Sequence, residues 1–250
     1  MKKSIAVALG LATVVSAQAQ LFNNADGRGL FEPLGMGTEV RGAGGFYSVL
    51  QAGNNTLGAG GQTVGTTVNT LADDFTNSVA WNLTGASVFA YQTNATTAGI
   101  AGGNLTIRSG SPTGAIEATG TWTVSTFAPI FRAAVSGSDV RHVQQVDFAL
   151  TGTLAAGTHW LVWSLFPDPG NTSGPFHPYL TKLGAASPSG SLNAMQNING
   201  AGFNPLFDGA NTTAAQDLPF LIRGSAVPEP ASMVVIGLGM VGLLARRKRK

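Results

Sequence analysis

Asp73 and Asp74 stand side by side in the chain, and Asp168-Pro169-Gly170-Asn171 is a second cluster of oxygen donors. Oxygen-rich turns of this kind hold Ca²⁺, which takes about six to eight ligands from carboxylates and carbonyls. Asp73 and Asp74 are therefore candidate calcium ligands. The competing reading is plainer: Asp and Asn populate turns because their side chains cap nearby backbone groups. As a glycosidase pair the two would fail, because neighbours on a strand point to opposite faces and the chemistry needs both carboxylates across one sugar.

The three histidines, His142, His159 and His177, are far apart and none has a second ligand at helical or short-loop spacing. Each is expected at a polar rim rather than on a metal. The chain contains no G-x-S-x-G, no H-E-x-x-H and no EF-hand loop, so no local motif marks a hydrolase or a metalloenzyme. A triad assembled in space stays open. Cysteine is absent, which removes disulfides, thiolate zinc and thiol nucleophiles. Gly237-Leu238-Gly239-Met240-Val241-Gly242 spells G-x-G-x-x-G, but no βαβ unit or following acid accompanies it. Trp81, Trp122, Trp160, Trp163, Tyr91 and Tyr179 are the rings available for a sugar platform. Trp81, Trp122 and Trp163 are expected in the core, and Tyr179 is the best placed to be exposed.

The elements that must position these residues are short. Between Gln20 and Val227 no apolar stripe of helical period appears. β-Branched and aromatic runs separated by Gly, Asn, Asp, Ser and Pro appear instead. Strands are expected at 45–50, 79–83, 87–92, 104–109, 121–127, 130–134, 143–150, 159–166 and 220–224, with turns at Gly102-Gly103 and Gly157-Thr158. The run Trp160-Leu161-Val162-Trp163-Ser164-Leu165-Phe166 is apolar on both faces, which predicts a central strand. Residues 184–217 are loop-rich, with Leu192, Met195, Ile198, Phe203, Leu206 and Phe207 scattered through them. They either wrap the body with those residues as pins or contain further strands. The expected fold is an all-β antiparallel β-sandwich of jelly-roll type over 20–227, with a single C-terminal transmembrane helix.

The two ends read as addresses. Lys2 and Lys3 precede an apolar stretch, and Ala17-Gln18-Ala19 supplies a small-x-small site. Residues 1–19 are thus expected to be a signal peptide removed by signal peptidase. At the other end Val227-Pro228-Glu229-Pro230 precedes the uncharged run 231–245, followed by Arg246, Arg247, Lys248, Arg249 and Lys250. At about 1.5 Å per residue the run spans roughly 22 Å, short of the ~30 Å hydrocarbon layer. The five cations decide for a span: they stop transfer, stay on the cytoplasmic side and snorkel to make up length. These termini also hold half of the 14 basic residues, while all but Glu229 of the 12 acidic ones lie in the body. The body is acidic and no basic patch is left for nucleic acid.

Pro228-Glu229-Pro230, a glycine-containing apolar run and a terminal Arg/Lys cluster resemble the PEP-CTERM sorting tag of Gram-negative bacteria. The likeness covers residues 227–250, a tenth of the chain. Leu71-Ala72-Asp73-Asp74-Phe75, then Trp81 and Phe89-Ala90-Tyr91-Gln92, is also similar to the opening of β-sandwich ectodomains in other PEP-CTERM proteins. The resemblance implies recognition of residues 228–230 by an exosortase and association with exopolysaccharide, biofilm or envelope material.

Three readings follow, in order. The first is an exported protein, anchored in the inner membrane with a periplasmic body before sorting and then displayed on the cell surface or in the extracellular matrix. It is non-enzymatic, uses no cofactor, and is structural or associated with exopolysaccharide. The second is a carbohydrate-binding module assisted by calcium. The third is a secreted hydrolase with a site assembled from distant residues.

Overall fold

β-Branched and aromatic residues alternate with small and polar ones through much of the body, and strands form where that alternation holds. The computed structural model describes residues 19–24, 40–42, 45–48, 58–133, 142–170, 174–178, 192–208 and 211–227. In chain order the strands are β1 (Ala19–Asn23), β2 (Val40–Gly42), β3 (Gly45–Ser48), β4 (Gly58–Gly60), β5 (Thr63–Val64), β6 (Thr67–Asn77), β7 (Trp81–Tyr91), β8 (Ile100–Ser109) and β9 (Ile116–Ala133). They continue as β10 (His142–Ala149), β11 (Thr153–Leu154), β12 (Gly157–Pro167), β13 (Phe176–Pro178), β14 (Met195–Ile198), β15 (Phe203–Pro205), β16 (Phe207–Asp208), β17 (Asn211–Ala215) and β18 (Phe220–Ala226). No helix occurs among the described residues.

The strands join in the order β1-β18-β7-β10-β9-β8-β12-β6-β14-β15. Every pairing along that path is antiparallel. β9 is where the sheet curls. Its first residues pair with β8, up to Gly120 opposite Leu105, and its later residues pair with β10 from Thr121 opposite Ala149. Gly120 allows the two halves to close: a β-carbon there would stand 3.0 Å from Leu105 Cδ2 and 3.2 Å from Phe148 Cβ.

The curled sheet faces itself across one core. Leu83, Val88, Val146, Phe148, Phe220 and Ile222 come from β7, β10 and β18; Leu71, Phe75, Leu105, Ile107, Leu161 and Trp163 come from β6, β8 and β12. Each fully buried large side chain contributes roughly 1.5–3 kcal/mol on leaving water. β12 lies between β8 and β6 as its two apolar faces predicted. Its outer face, Trp160 and Val162 with Ala72, is covered by Met195 and Phe203. The 184–217 segment therefore does both things expected of it: it contributes strands β14 to β17 and it pins apolar residues, with Leu206 in the main core.

Several boundaries differ from expectation. The strands expected at 79–83 and 87–92 fall together in one strand, β7, which runs from Trp81 to Tyr91, and 121–127 and 130–133 lie in another, β9. Gly102 and Gly103 lie inside β8, opposite Phe166 and Leu165, and are not a turn. Asp73 and Asp74 lie in the interior of β6, which was not expected as a strand. Among the described residues no helix is long and apolar enough to cross a membrane. The expected span 231–245, the tail Arg246, Arg247, Lys248, Arg249 and Lys250, and residues 1–18 of the signal lie outside them.

Candidate functional site

β6 places Asp73 and Asp74 on opposite faces, Asp73 wholly buried and Asp74 half-buried. Asp73 Oδ2 accepts hydrogen bonds from Asn24 Nδ2 at 2.9 Å and Leu218 N at 2.7 Å, and Oδ1 accepts one from Asp74 N at 2.9 Å. Asn24 also donates to the Leu218 carbonyl. The carboxylate thus ties the end of β1 to β6 and to the segment leading into β18. Burial pushes the Asp73 carboxyl well above the usual carboxylate range, and the Asp217 carboxylate pushes it further; the Leu218 and Asp74 amides pull it back. Asp217 is itself buried and accepts a bond from Asn193 N at 3.0 Å. The pair thus joins buried strands and does not form a turn. No group of three or more His, Cys, Asp or Glu among the described residues is placed to hold a metal ion.

Two of the histidines leave the rim. His177, on β13, is fully buried, and Trp163 Nε1 donates to its Nε2 at 2.6 Å. An Nε2 that accepts a bond fixes the hydrogen on Nδ1. Burial lowers the pKa of His177 to about 3; the Phe89 carbonyl opposes it weakly, since Nδ1 has no partner of normal geometry. His159, on β12, places Nδ1 2.6 Å from Glu117 Oε2 and Nε2 2.9 Å from Asn77 Oδ1. Its ring also packs against Phe75 at 5.4 Å. Asn77 donates to the Val79 and Ala155 carbonyls. His159 therefore stitches β12 to β6 and β9. His142 is half-buried at the start of β10, the rim position expected.

The aromatics divide differently from expectation at one position. Trp81, Trp160 and Trp163 are buried, but Trp122 is 37% exposed. Its strand has a bulge there, where Asp147 and Phe148 face Val124 and Trp122 and leave Thr123 unpaired. Trp122 lies in the exposed stretch 121–124, and its Nε1 donates to Ser125 Oγ at 3.3 Å. Tyr179 lies outside the described residues.

One surface feature gathers polar groups without using them. The loop after β7 and the loop after β12 enclose an open cleft of about 410 Å³, lined by Asn94, Thr96, Thr97, Gly99, Asp168 and Gly170 among others. The Asp168 amide donates to the Gly99 carbonyl at 2.6 Å, and Ala95 N to the Gln92 carbonyl at 3.2 Å, which fixes both loops. Asn94 adopts a φ of 66°, a left-handed conformation that Asn tolerates and most residues do not. Gln92 lies beneath the cleft, fully buried, with neither Oε1 nor Nε2 hydrogen-bonded. A β-carbon on Gly99 would stand 2.6 Å from Gln92 Oε1 and 3.7 Å from Asp168 Oδ2. Asp168 and Gly170 were singled out in the sequence as an oxygen-rich turn. Asn94, Thr96, Thr97 and Gln92 were not, because nothing in their spacing says that this loop meets residue 168.

Outside the cleft, Arg223 on β18 pairs with Asp147 on β10 at 3.0 Å, and both contact Ser87 on β7 between them. Gln145 Nε2 donates to the same carboxylate at 2.9 Å. Ser87 and Gln145 are buried and the two charged side chains are mostly so, and the group ties β7, β10 and β18 together.

Both ends of the body emerge together. Ala19, the last residue of the expected signal, pairs with Gly224, and Ala226 at the end of β18 pairs with Trp81. Val227 N donates to the Ala80 carbonyl at 2.7 Å. Ala17 and the tripeptide Pro228, Glu229, Pro230 lie outside the described residues.

No curated protein sequence matches the chain. Among solved structures it is similar to the family 3a carbohydrate binding module from the cipA scaffolding of Clostridium thermocellum. That match has 15% identity and a TM-score of 0.27, over 56% of this chain and 91% of that one. This likeness is too loose to transfer a fold or a ligand. The family model of the PEP-CTERM protein-sorting motif matches residues 226–250, and the motif implies an exosortase as processing enzyme and the cell envelope as destination. By that terminal segment, which begins on the last residue of β18, the chain is a PEP-CTERM sorting-domain protein.

Proposed function

We propose that this is an exosortase-sorted surface protein whose β-body is a non-enzymatic structural component in contact with exopolysaccharide. The observation that carries the reading is the attachment of the sorting motif: it starts at Ala226, inside β18, so the body is joined to its address without a linker. Two further features support it. The chain is only 10% charged, so its surface is solvated mainly by hydroxyls and amides, which suit contact with polyhydroxylated polymers. In addition, Asp73, His159 and His177 are engaged in holding strands together.

Fractionation of producing cells tests the reading. The protein should be found in the envelope or the extracellular matrix, with its intact mass showing loss of residues 1–19, and should co-sediment with exopolysaccharide. A chain recovered from the cytosol with Met1 in place, or one that separates freely from the polysaccharide, overturns it.

A further inference from the structure

The cleft between the loops after β7 and β12 is built from neutral polar groups and one carboxylate, and it lies above a buried amide that has no partner. We propose that it binds one sugar unit of a neutral polysaccharide. Asp168, Asn94, Thr96 and Thr97 would hold its hydroxyls, and the Gln92 amide beneath Gly99 would take a further hydroxyl or a water carried with it.

Size is the first argument. About 410 Å³ falls within the roughly 300–1,000 Å³ of small-molecule clefts and far exceeds the space one ion fills. Chemistry is the second. A carboxylate accepts from two hydroxyls at once, while amides and threonines both donate and accept. A pyranose presents adjacent hydroxyls that do the same. Among the described residues no cationic side chain lines the cleft, so a phosphate or an acidic sugar would meet Asp168 without a counter-charge from them. The third argument is Gln92. A buried amide with neither atom bonded is costly, and a ligand that supplies a donor and an acceptor removes that cost. Calcium would use Oε1 and leave Nε2 as it is. Gly99 matters because a side chain there would occupy the gap between Gln92 and Asp168.

The assignment deepens the matrix contact proposed above and rests on it, so the test separates the two. The mature protein, isotope-labelled and recovered from cells, is titrated with neutral tetrasaccharides of glucose, galactose and mannose, and separately with calcium chloride. The side-chain amide resonances of Gln92 and Asn94 are followed. A tetrasaccharide should shift both, and Asp168→Ala and Asn94→Gly should each weaken binding about tenfold or more. Glycine suits the left-handed backbone at position 94, so the second variant removes the amide without strain. If the protein co-sediments with exopolysaccharide but no tetrasaccharide binds, or both variants bind unchanged, the cleft is the wrong site and the matrix reading survives. Shifts with calcium chloride alone would make it an ion site and overturn the proposal. Loss of co-sedimentation as well would remove both readings.

Discussion

Trp163 donates its indole N–H to Nε2 of His177 at 2.6 Å, with both rings inside the core. The contact fixes a histidine that is neutral in the folded protein, with its pKa lowered from 6.5 to about 3. Between those values the unfolded chain binds the proton and the folded one does not. This contribution is therefore intact above pH 6.5 and is lost as pH falls toward 3, at about 1.4 kcal/mol per pH unit. Urea titrations across that range should show the decline, and His177→Gln should flatten it. An unchanged slope in the variant would mean that His177 is open to protons in the folded state.

Asp73 works in the opposite direction. Its carboxyl is raised by burial and by Asp217, so the folded chain keeps a proton that the unfolded chain releases above its ordinary value of 3.8. Stability from this group is present at acid pH and falls as pH rises from 3.8 toward the raised value. The two residues therefore oppose each other over part of the acid range, and single variants are needed to separate them. Asp217→Asn keeps an acceptor for Asn193 N and removes the repulsion. It should raise the neutral-pH Tm and reduce the loss on going from pH 4 to neutrality; a lower neutral Tm would contradict the assignment.

What the sequence showed clearly were the C-terminal sorting motif and the strongly patterned strands. The double-faced apolar run 160–166 became β12, between two neighbours and under Met195 and Phe203. β6 was missed because its buried face, Leu71, Asp73, Phe75 and Asn77, is polar at every second position. Asp73 and Asn77 are paired inside the fold, and such pairing leaves no period-2 trace. The histidines were misplaced for the same reason: burial of His159 and His177 depends on partners 82 and 14 residues away. Trp122 erred the other way, since a bulge at Thr123 cannot be read from composition. The cleft needed the fold itself, because it brings residues 94–99 against 168–170.

The curl at Gly120 gives a direct packing test. A side chain there would press on Leu105 and Phe148, both of them central to the core. Gly120→Val should destabilise the body by about 1–3 kcal/mol, the usual cost of overpacking. Equilibrium unfolding in urea measures it: the midpoint should fall with the slope unchanged. A variant as stable as the parent would show that β9 bends elsewhere.

Removal of residues 1–19 would leave β1 as the N-terminal strand of the body. β1 pairs with β18 through Gln20 opposite Arg223 and Asn23 opposite Leu221. Phe22 stacks on Phe220 at 5.1 Å and tilts against Phe75 at 5.6 Å, while Asn24 reaches Asp73. Cleavage after Ala19 leaves all of these contacts in place, whereas cleavage a few residues later would remove the Phe22 ring and strip an edge from the core. Phe22→Ala, truncating a half-buried ring, should cost about 2–3 kcal/mol, somewhat below the full-burial range. Asn24→Ala should cost about 1–3 kcal/mol, because it takes one of three donors from a buried carboxyl and frees the Leu218 carbonyl. Both losses should appear as lower urea midpoints in the mature protein. Near-parental midpoints for both variants would mean that β1 is dispensable, and the pairing of the two ends would then carry no weight in stability.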